Sequence, residues 1–114
     1  ATGHWEEWGR LDRWYSKQFS YFLDKMKNTT DVNGSLLDNT LILYGSACST
    51  THNARNYPLI LAGGSDLGVK HGSYTVFEEK DERMSNLLLS MLNKLDIEKE
   101  SFSDSTGKLS TNII

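Results

Sequence analysis

The sequence predicts an α/β fold made of a long helix, two buried strands, an edge hairpin and a second helix. Large apolar residues recur at helical spacing over 5–27 and 83–95 but run continuously over 40–45 and 58–62. Continuous apolar strands are typical of sheets covered on both faces, which favours a parallel or mixed sheet. Because two short strands do not make a stable sheet, we expect the fold to be incomplete on its own.

Composition narrows the function classes. Of the 114 residues, 38% are hydrophobic and 24% are charged, which is ordinary for a globular domain. The formal net charge of -3 argues against a nucleic-acid partner, since such surfaces carry a basic excess. We find neither a signal peptide nor an apolar run approaching the roughly 20 residues that cross a bilayer. The chain begins with Ala1 instead of Met, and we interpret it as processed, cleaved or cut from something longer.

The first helix carries an aromatic stripe. A core-facing helix is the favoured interpretation, because a lone helix cannot bury such a face and needs a substantial partner surface. The alternative is an aromatic ligand-binding face. The apolar residues at helical spacing are Trp5, Trp8, Leu11, Tyr15, Phe19, Phe22, Leu23 and Met26.

Turn-forming residues separate the remaining elements. Residues 28–39 read as a surface loop, and the glycines after each apolar run end the two strands, with Gly63-Gly64 predicted to form a tight turn. Weak alternation over 65–77 predicts an edge hairpin or arm. Asp81 is the expected N-cap of the second helix. The tail, 96–114, is polar, with Phe102 as its one expected anchor.

Four segments carry a family resemblance: WYSKQF at 14–19, LLDNTLILYGS at 36–46, PLILAGG at 58–64 and ESFSDSTG at 100–107. Together they closely resemble the C-terminal third of the HXXSHH family, secreted bacterial proteins of unknown function placed near the alkaline phosphatase and sulfatase superfamily. The resemblance covers nearly the whole chain in one order.

This resemblance implies an architecture and a location. Residues 1–114 would be a single C-terminal fragment of a larger α/β domain with an alkaline-phosphatase-like fold, located outside the cell or in the periplasm. The His-rich signature of the family is expected just before the chain begins, with His4 at its edge. The missing strands would come from the remainder of the parent polypeptide, from another bound fragment or from a second copy of the chain.

The resemblance also implies one candidate metal ligand. His52 lies six residues before Pro58, the spacing at which phosphatases of the superfamily carry a metal-binding histidine. Directly after the first strand, however, Ala47, Cys48 and Ser49 replace the carboxylate and its neighbours that serve as ligands in that superfamily. The sequence therefore identifies no cofactor, and only the intact protein could hold zinc or calcium.

The loop around His52 is the candidate binding region. It follows the carboxyl end of a predicted strand, where open α/β sheets bind ligands, and loops this long are often functional. We single out Ser46, Asn53 and Arg55 as candidate binding residues, since Arg55 can meet an anion through two hydrogen bonds. The rival interpretation is a solvated surface loop.

The other reactive side chains favour structural roles. His4, His52 and His71 are scattered over different elements and match no local metal motif, and we interpret His71 as a solvated loop residue. Cys48 is interpreted as a small buried thiol. No nucleophile with its base can be assembled, so we assign no catalytic residue.

Two functions follow. The first is a non-catalytic, structural or binding part of an alkaline-phosphatase-like protein. The alternative is that His52 contributes a metal ligand to a phosphatase- or sulfatase-type hydrolase site completed by residues outside this chain. In that case the parent would be a metal-dependent phosphoester or sulfate-ester hydrolase, although the chain alone would not be an enzyme.

Overall fold

The computed structural model describes residues 3–50, 52–78 and 82–114. Helices and small antiparallel sheets together give the α/β character that the sequence predicts. The two predicted helices and the two predicted central strands are present, with bounds within two residues of the prediction, although no residue of either strand is buried as predicted. Asp81, the expected N-cap, lies outside the described residues. The elements in chain order are α1 (Trp5–Asn28), β1 (Thr30–Asp31), β2 (Gly34–Ser35), β3 (Ile42–Gly45), β4 (Leu59–Ala62) and α2 (Met84–Lys94).

Polar side chains end α1. The hydroxyl of Thr29 donates to the backbone carbonyl of Lys25 at 2.7 Å. The side-chain amide of Asn28 donates to the backbone carbonyl of Asp24 at 2.8 Å. Thr29 itself is extended, so the helical hydrogen bonds stop there. The last turn also carries Lys25 and a second lysine, which suit the negative end of the helix dipole.

A short hairpin follows, within the segment that the sequence predicts to be a loop. Strands β1 and β2 pair antiparallel, with Asp31 opposite Gly34. The carboxylate of Asp31 accepts the backbone N–H of Asn33 at 2.7 Å, as expected of an Asp-initiated turn. Ser35 then donates its hydroxyl to the carbonyl of Lys27 at 3.0 Å, which ties the hairpin to the end of α1.

The main sheet consists of β3 and β4, which are antiparallel, with Ile42 opposite Ala62 and Tyr44 opposite Ile60. The parallel arrangement is therefore not present between these two strands. A parallel pair needs a crossover, usually a helix, and the described residues of the connection, 46–50 and 52–58, contain no helix. Phe19 of α1 stacks on Tyr44 with ring centroids 4.2 Å apart and planes 8° from parallel, which places α1 against one face of the sheet.

The edge hairpin predicted over 65–77 is not formed. A turn at 65–68 is followed by irregular backbone up to residue 78. Gly68 and Gly72 have φ angles of 85° and 91°, in the left-handed region that interrupts a strand. Weak alternation in the sequence was therefore a poor guide here, because a strand also requires a neighbour to pair with.

The tail over 96–114 is docked, although Phe102 is not its anchor: its side chain is 42% exposed. Polar contacts hold the tail to α2 instead. The carbonyl oxygen of the Asn86 side chain accepts the N–H of Thr106 at 2.8 Å, and Ser90 Oγ accepts the N–H of Leu109 at 2.8 Å. The sequence predicted a polar tail with Phe102 as its one anchor, whereas Asn86 and Ser90, one helical turn apart on α2, are its observed partners.

The chain exposes more surface than a closed domain of its size. Its accessible surface is 8848 Å², against roughly 6300 Å² for a compact protein of this mass. Its radius of gyration is 16.1 Å, against roughly 13 Å for a compact domain of this length. Among the described residues only Val69 and Leu89 are buried hydrophobics. The apolar core is therefore small for a chain that carries two long amphipathic helices.

Candidate functional site

The loop over 46–58 carries all four residues that the sequence singles out as site candidates. Its base is closed by a backbone hydrogen bond from Ser46 N to Pro58 O at 3.3 Å. The hydroxyl of Ser46 donates to Cys48 O at 2.6 Å and accepts from Cys48 N at 3.2 Å. Ser46 is thus committed to shaping the start of the loop. Cys48 is only half-buried, in contrast to the buried thiol that the sequence predicted.

His52 lies at the tip of this loop. Thr50 and Asn53 form an isolated antiparallel bridge, and Ser49 N donates to Asn53 O at 2.9 Å. The turn holds His52 at a φ of 54°, in the left-handed region, where histidine is better tolerated than most residues. His52, Asn53 and Arg55 are all exposed. The tight turn therefore carries His52 and Asn53, and Arg55 follows it two residues later in the same loop.

The position of the loop bears on its predicted role. It leaves the carboxyl end of β3, as the sequence analysis requires, but it enters the amino end of an antiparallel neighbour. The crevice that forms beyond the carboxyl ends of parallel strands is thus not created by β3 and β4 alone. The binding roles of Ser46, His52, Asn53 and Arg55 stay predictions.

A second polar cluster was not anticipated from the sequence. Asp38 Oδ1 accepts the hydroxyl of Ser65 at 2.7 Å, and its carbonyl accepts Asp66 N at 3.0 Å. The amide of Asn39 donates to Asp66 Oδ2 at 3.4 Å. These contacts join the turn before β3 to the turn after β4. The pattern could have been suspected from Asp38-Asn39 and Ser65-Asp66, two pairs of turn-forming residues that flank the two strands.

His71 belongs to the same region. Its Nε2 lies 2.8 Å from the carbonyl oxygen of Gly63, so the ring is held in place although it is exposed. The interpretation of His71 as a solvated loop residue therefore omits its role in attaching the segment after β4 to the sheet. A shallow concavity of about 280 Å³ opens here, lined by Leu37, Asp38, Leu61, Ala62, Gly63, Ser65 and His71.

Gly63 and Gly64 form the tight turn predicted for them. Their φ angles are 73° and 71°. A Cβ on Gly63 would overlap the carbonyl oxygens of Thr40 and Leu37, so the backbone approach is possible only for glycine. Gly64 N also donates to Leu37 O at 2.9 Å. These glycines therefore have a packing role, with no helix directly after them to make a phosphate cradle.

The donor set at His52 does not fit a metal ion by itself. Within residues 3–50, 52–78 and 82–114, no three His, Cys, Asp or Glu side chains lie close enough together to hold one. Zinc normally takes three or four protein ligands. Any metal at His52 would consequently need ligands from other parts of a larger protein.

In the part of the chain that the structure describes, neither helix has the length and apolar character needed to span a bilayer. Comparison with family models, curated proteins and solved structures gives no match.

Proposed function

We propose that this chain is a non-catalytic structural and binding part of a larger alkaline-phosphatase-like protein of the HXXSHH type, which it joins through the aromatic face of α1. The observation that carries the proposal is the unburied surface. The accessible area exceeds that of a compact protein of this mass by about 2500 Å². Obligate interfaces bury areas of this order.

The N-terminal half of α1 accounts for the most conspicuous part of that surface. Trp5, Trp8 and Trp14 are 79%, 63% and 54% exposed, and no residue of α1 is buried. At about 3.6 residues per turn, Trp5 and Trp8 lie on one side of α1 and Trp14 lies half a turn away from Trp5. Trp5 and Trp8 therefore form the exposed apolar patch, and such patches mark interaction surfaces. Phe19 is half-buried by its stacking on Tyr44, so the sheet covers only the C-terminal half of the helix.

Charges on α1 also favour a protein partner. Glu6 and Glu7 lie in the first turn, and Lys25 and Lys27 lie in the last. The helix thus combines an apolar stripe with opposite charges at its two ends, which can fix the orientation of a facing surface. The partner is the remainder of the parent polypeptide, or a second copy of this chain in its absence.

The three tryptophans of the chain all lie in α1, so intrinsic fluorescence reports on this helix alone. We expect the purified chain to sediment as associated species and its tryptophan emission to shift to shorter wavelength with increasing concentration. The double variant Trp5→Ala, Trp8→Ala should weaken association at least tenfold. Phe102→Ala removes a 42% exposed aromatic residue from the tail and serves as the control. A monomer that unfolds cooperatively with no bound partner chain would refute the proposal.

The alternative function rests on His52, whose exposed ring projects from a loop that contains no other histidine. Under this alternative His52 supplies one ligand of a hydrolase site completed elsewhere. The dialysed 114-residue chain should then retain no stoichiometric zinc or calcium, while the full-length parent should lose metal on His52→Ala but not on the control His4→Ala. Equal metal content in the parent and its His52→Ala variant would exclude this role. Stoichiometric metal in the chain alone would contradict the absence of a self-contained site.

A further inference from the structure

The segment 73–77, here called the arm, is a strand-like sequence without a strand partner. Its residues, Ser-Tyr-Thr-Val-Phe, are uncharged and mostly of the β-branched and aromatic types favoured in strands. Tyr74 and Val76, two positions apart, are 92% and 70% exposed. No backbone hydrogen bond joins the arm to another described residue. The backbone N–H and C=O groups of the arm are therefore not used in pairing with the described residues.

The root of the arm is fixed by two contacts. His71 contacts the carbonyl of Gly63 at 2.8 Å, and Lys70 N donates to Ile113 O at 2.9 Å. Gly72 then turns the chain with a φ of 91°. A fixed start followed by a glycine turn presents the arm as a projecting element whose ordering cost on pairing is reduced.

The complementary surface is on the same molecule. Strands β3 and β4 form a sheet of only two strands, and no backbone hydrogen bond joins either strand to a described residue outside this pair. Both strands, with sequences ILYG and LILA, are uncharged. Sheet edges that stay exposed are usually protected by charged residues, by proline or by bulges. These edges lack charges, which indicates that they are covered in the working protein.

We propose that the arm of one copy adds as a β-strand to the open edge of the β3–β4 sheet of a second copy, and that the exchange is reciprocal. A reciprocal exchange closes with two-fold symmetry, so it gives a dimer and does not propagate. Main-chain hydrogen bonds supply the affinity. Tyr74 and Val76, two positions apart, share one face of the added strand, and their side chains pack on the apolar face of the partner sheet. This interface is separate from the aromatic face of α1.

Hydrogen exchange of the full chain tests the pairing directly. In a strand added to a sheet edge, every second amide faces the neighbouring strand. We expect alternate amides of 73–77 to exchange at least tenfold more slowly at high protein concentration than at low concentration, together with edge amides of β3 or β4. Uniform, concentration-independent exchange along the arm would overturn the proposal.

Proline substitutions give a second measurement. Thr75→Pro and Val76→Pro remove N–H groups at adjacent positions, so one of them removes a partner-facing donor in either register. That variant should weaken dimerisation at least tenfold in sedimentation equilibrium, while Val32→Pro, at a 98% exposed valine on the β1–β2 turn, should not. Association through α1 would shift tryptophan emission without protecting the arm. Equal dimerisation constants for Thr75→Pro, Val76→Pro and Val32→Pro would refute strand exchange. A wild-type chain that stays monomeric at every protein concentration would refute it as well.

Discussion

Replacing Asn86 with alanine should release part of the C-terminal tail from α2. The Asn86 side chain is nearly inaccessible, at 3% exposure, and it makes three hydrogen bonds. Its Nδ2 donates to Glu82 Oε1 at 2.9 Å and to Thr106 Oγ1 at 3.1 Å, and its Oδ1 accepts Thr106 N at 2.8 Å. Two of these three bonds reach across to the tail.

The size of the effect follows from these bonds. Each net hydrogen bond contributes about 1 kcal/mol, and the contributions of a shared side chain are not fully additive. We therefore expect Asn86→Ala to lower the free energy of opening at Thr106 by about 2 kcal/mol, which is roughly a thirtyfold change in the opening equilibrium. The carbonyl of Asn86, which accepts the hydroxyl of Ser90 at 2.9 Å, is unaffected by the substitution.

Native-state hydrogen exchange at single amides is the suitable assay, since it measures local opening and requires no two-state unfolding. The amide of Thr106 should exchange about thirtyfold faster in Asn86→Ala. The amide of Leu109, held separately by Ser90 Oγ at 2.8 Å, should change less. Asn112→Ala alters an exposed asparagine of the tail and is the matched control. Unchanged exchange at Thr106 in Asn86→Ala would refute the polar docking of the tail.

Two further perturbations test the turn after β4 and the contact of Asp104 in the middle of the tail. Gly63→Ala should destabilise the chain by at least about 1–2 kcal/mol, because a left-handed non-glycine residue is strained and its Cβ would overlap Thr40 O. Gly9→Ala, in an open part of α1, should instead be neutral or stabilise the chain. Equal denaturation midpoints for the Gly63→Ala and Gly9→Ala variants would contradict this expectation. The pKa of Asp104 lies below its usual range. The Ser85 hydroxyl lowers it most and Arg83 lowers it further, whereas desolvation raises it. Because the pKa is lower in the folded state, the charged carboxylate stabilises tail docking at pH values above the unfolded pKa. Docking should therefore weaken as pH falls below about 4. The NMR chemical shifts of the tail should follow this change in the wild type and should not do so in Asp104→Asn.

Hydrophobic period was sufficient to locate four elements. The stripe over α1 and that over α2 are long enough to distinguish a helix from a strand, and the apolar runs ending at Gly45 and Gly63 are bounded by residues that stop strands. The direction of the strands was not predictable in the same way. Buried strands read alike whether they run parallel or antiparallel, and only the length and content of the connection distinguish the two.

The short hairpin and the docked tail were missed for a different reason. Strands of two residues, such as β1 and β2, are too short to show a period, and their turn is specified by Asp31 and Gly34. The apolar residues of the tail are dispersed, so their spacing does not indicate that it binds α2; they are Ile97, Phe102, Leu109, Ile113 and Ile114. Its partners are Asn86 and Ser90, two polar residues four positions apart on α2. They are recognisable as partners only when helix and tail are considered together.

The candidate site shows the same division between local and non-local information. The sequence placed Ser46, His52, Asn53 and Arg55 on one loop, and the structure has them there, because a loop is a local feature. The contact of His71 with Gly63 joins residues eight positions apart through a left-handed turn, and sequence spacing does not encode such a contact. A histidine in a polar segment therefore reads as solvated even when its ring is held by the backbone.

The distribution of burial decides where a partner can bind. Leu89 and Val69, the buried hydrophobics of the described chain, lie on α2 and on the segment after β4, the side to which the tail is docked. In contrast, α1 contains no buried residue, and the β3–β4 sheet has two strands in the described part of the chain. The C-terminal half is covered by its own segments, since polar contacts hold the tail to α2. The α1 face and the sheet edges are then the surfaces left for a second polypeptide, and a partner that covered only the tail side would leave the excess exposed area unexplained.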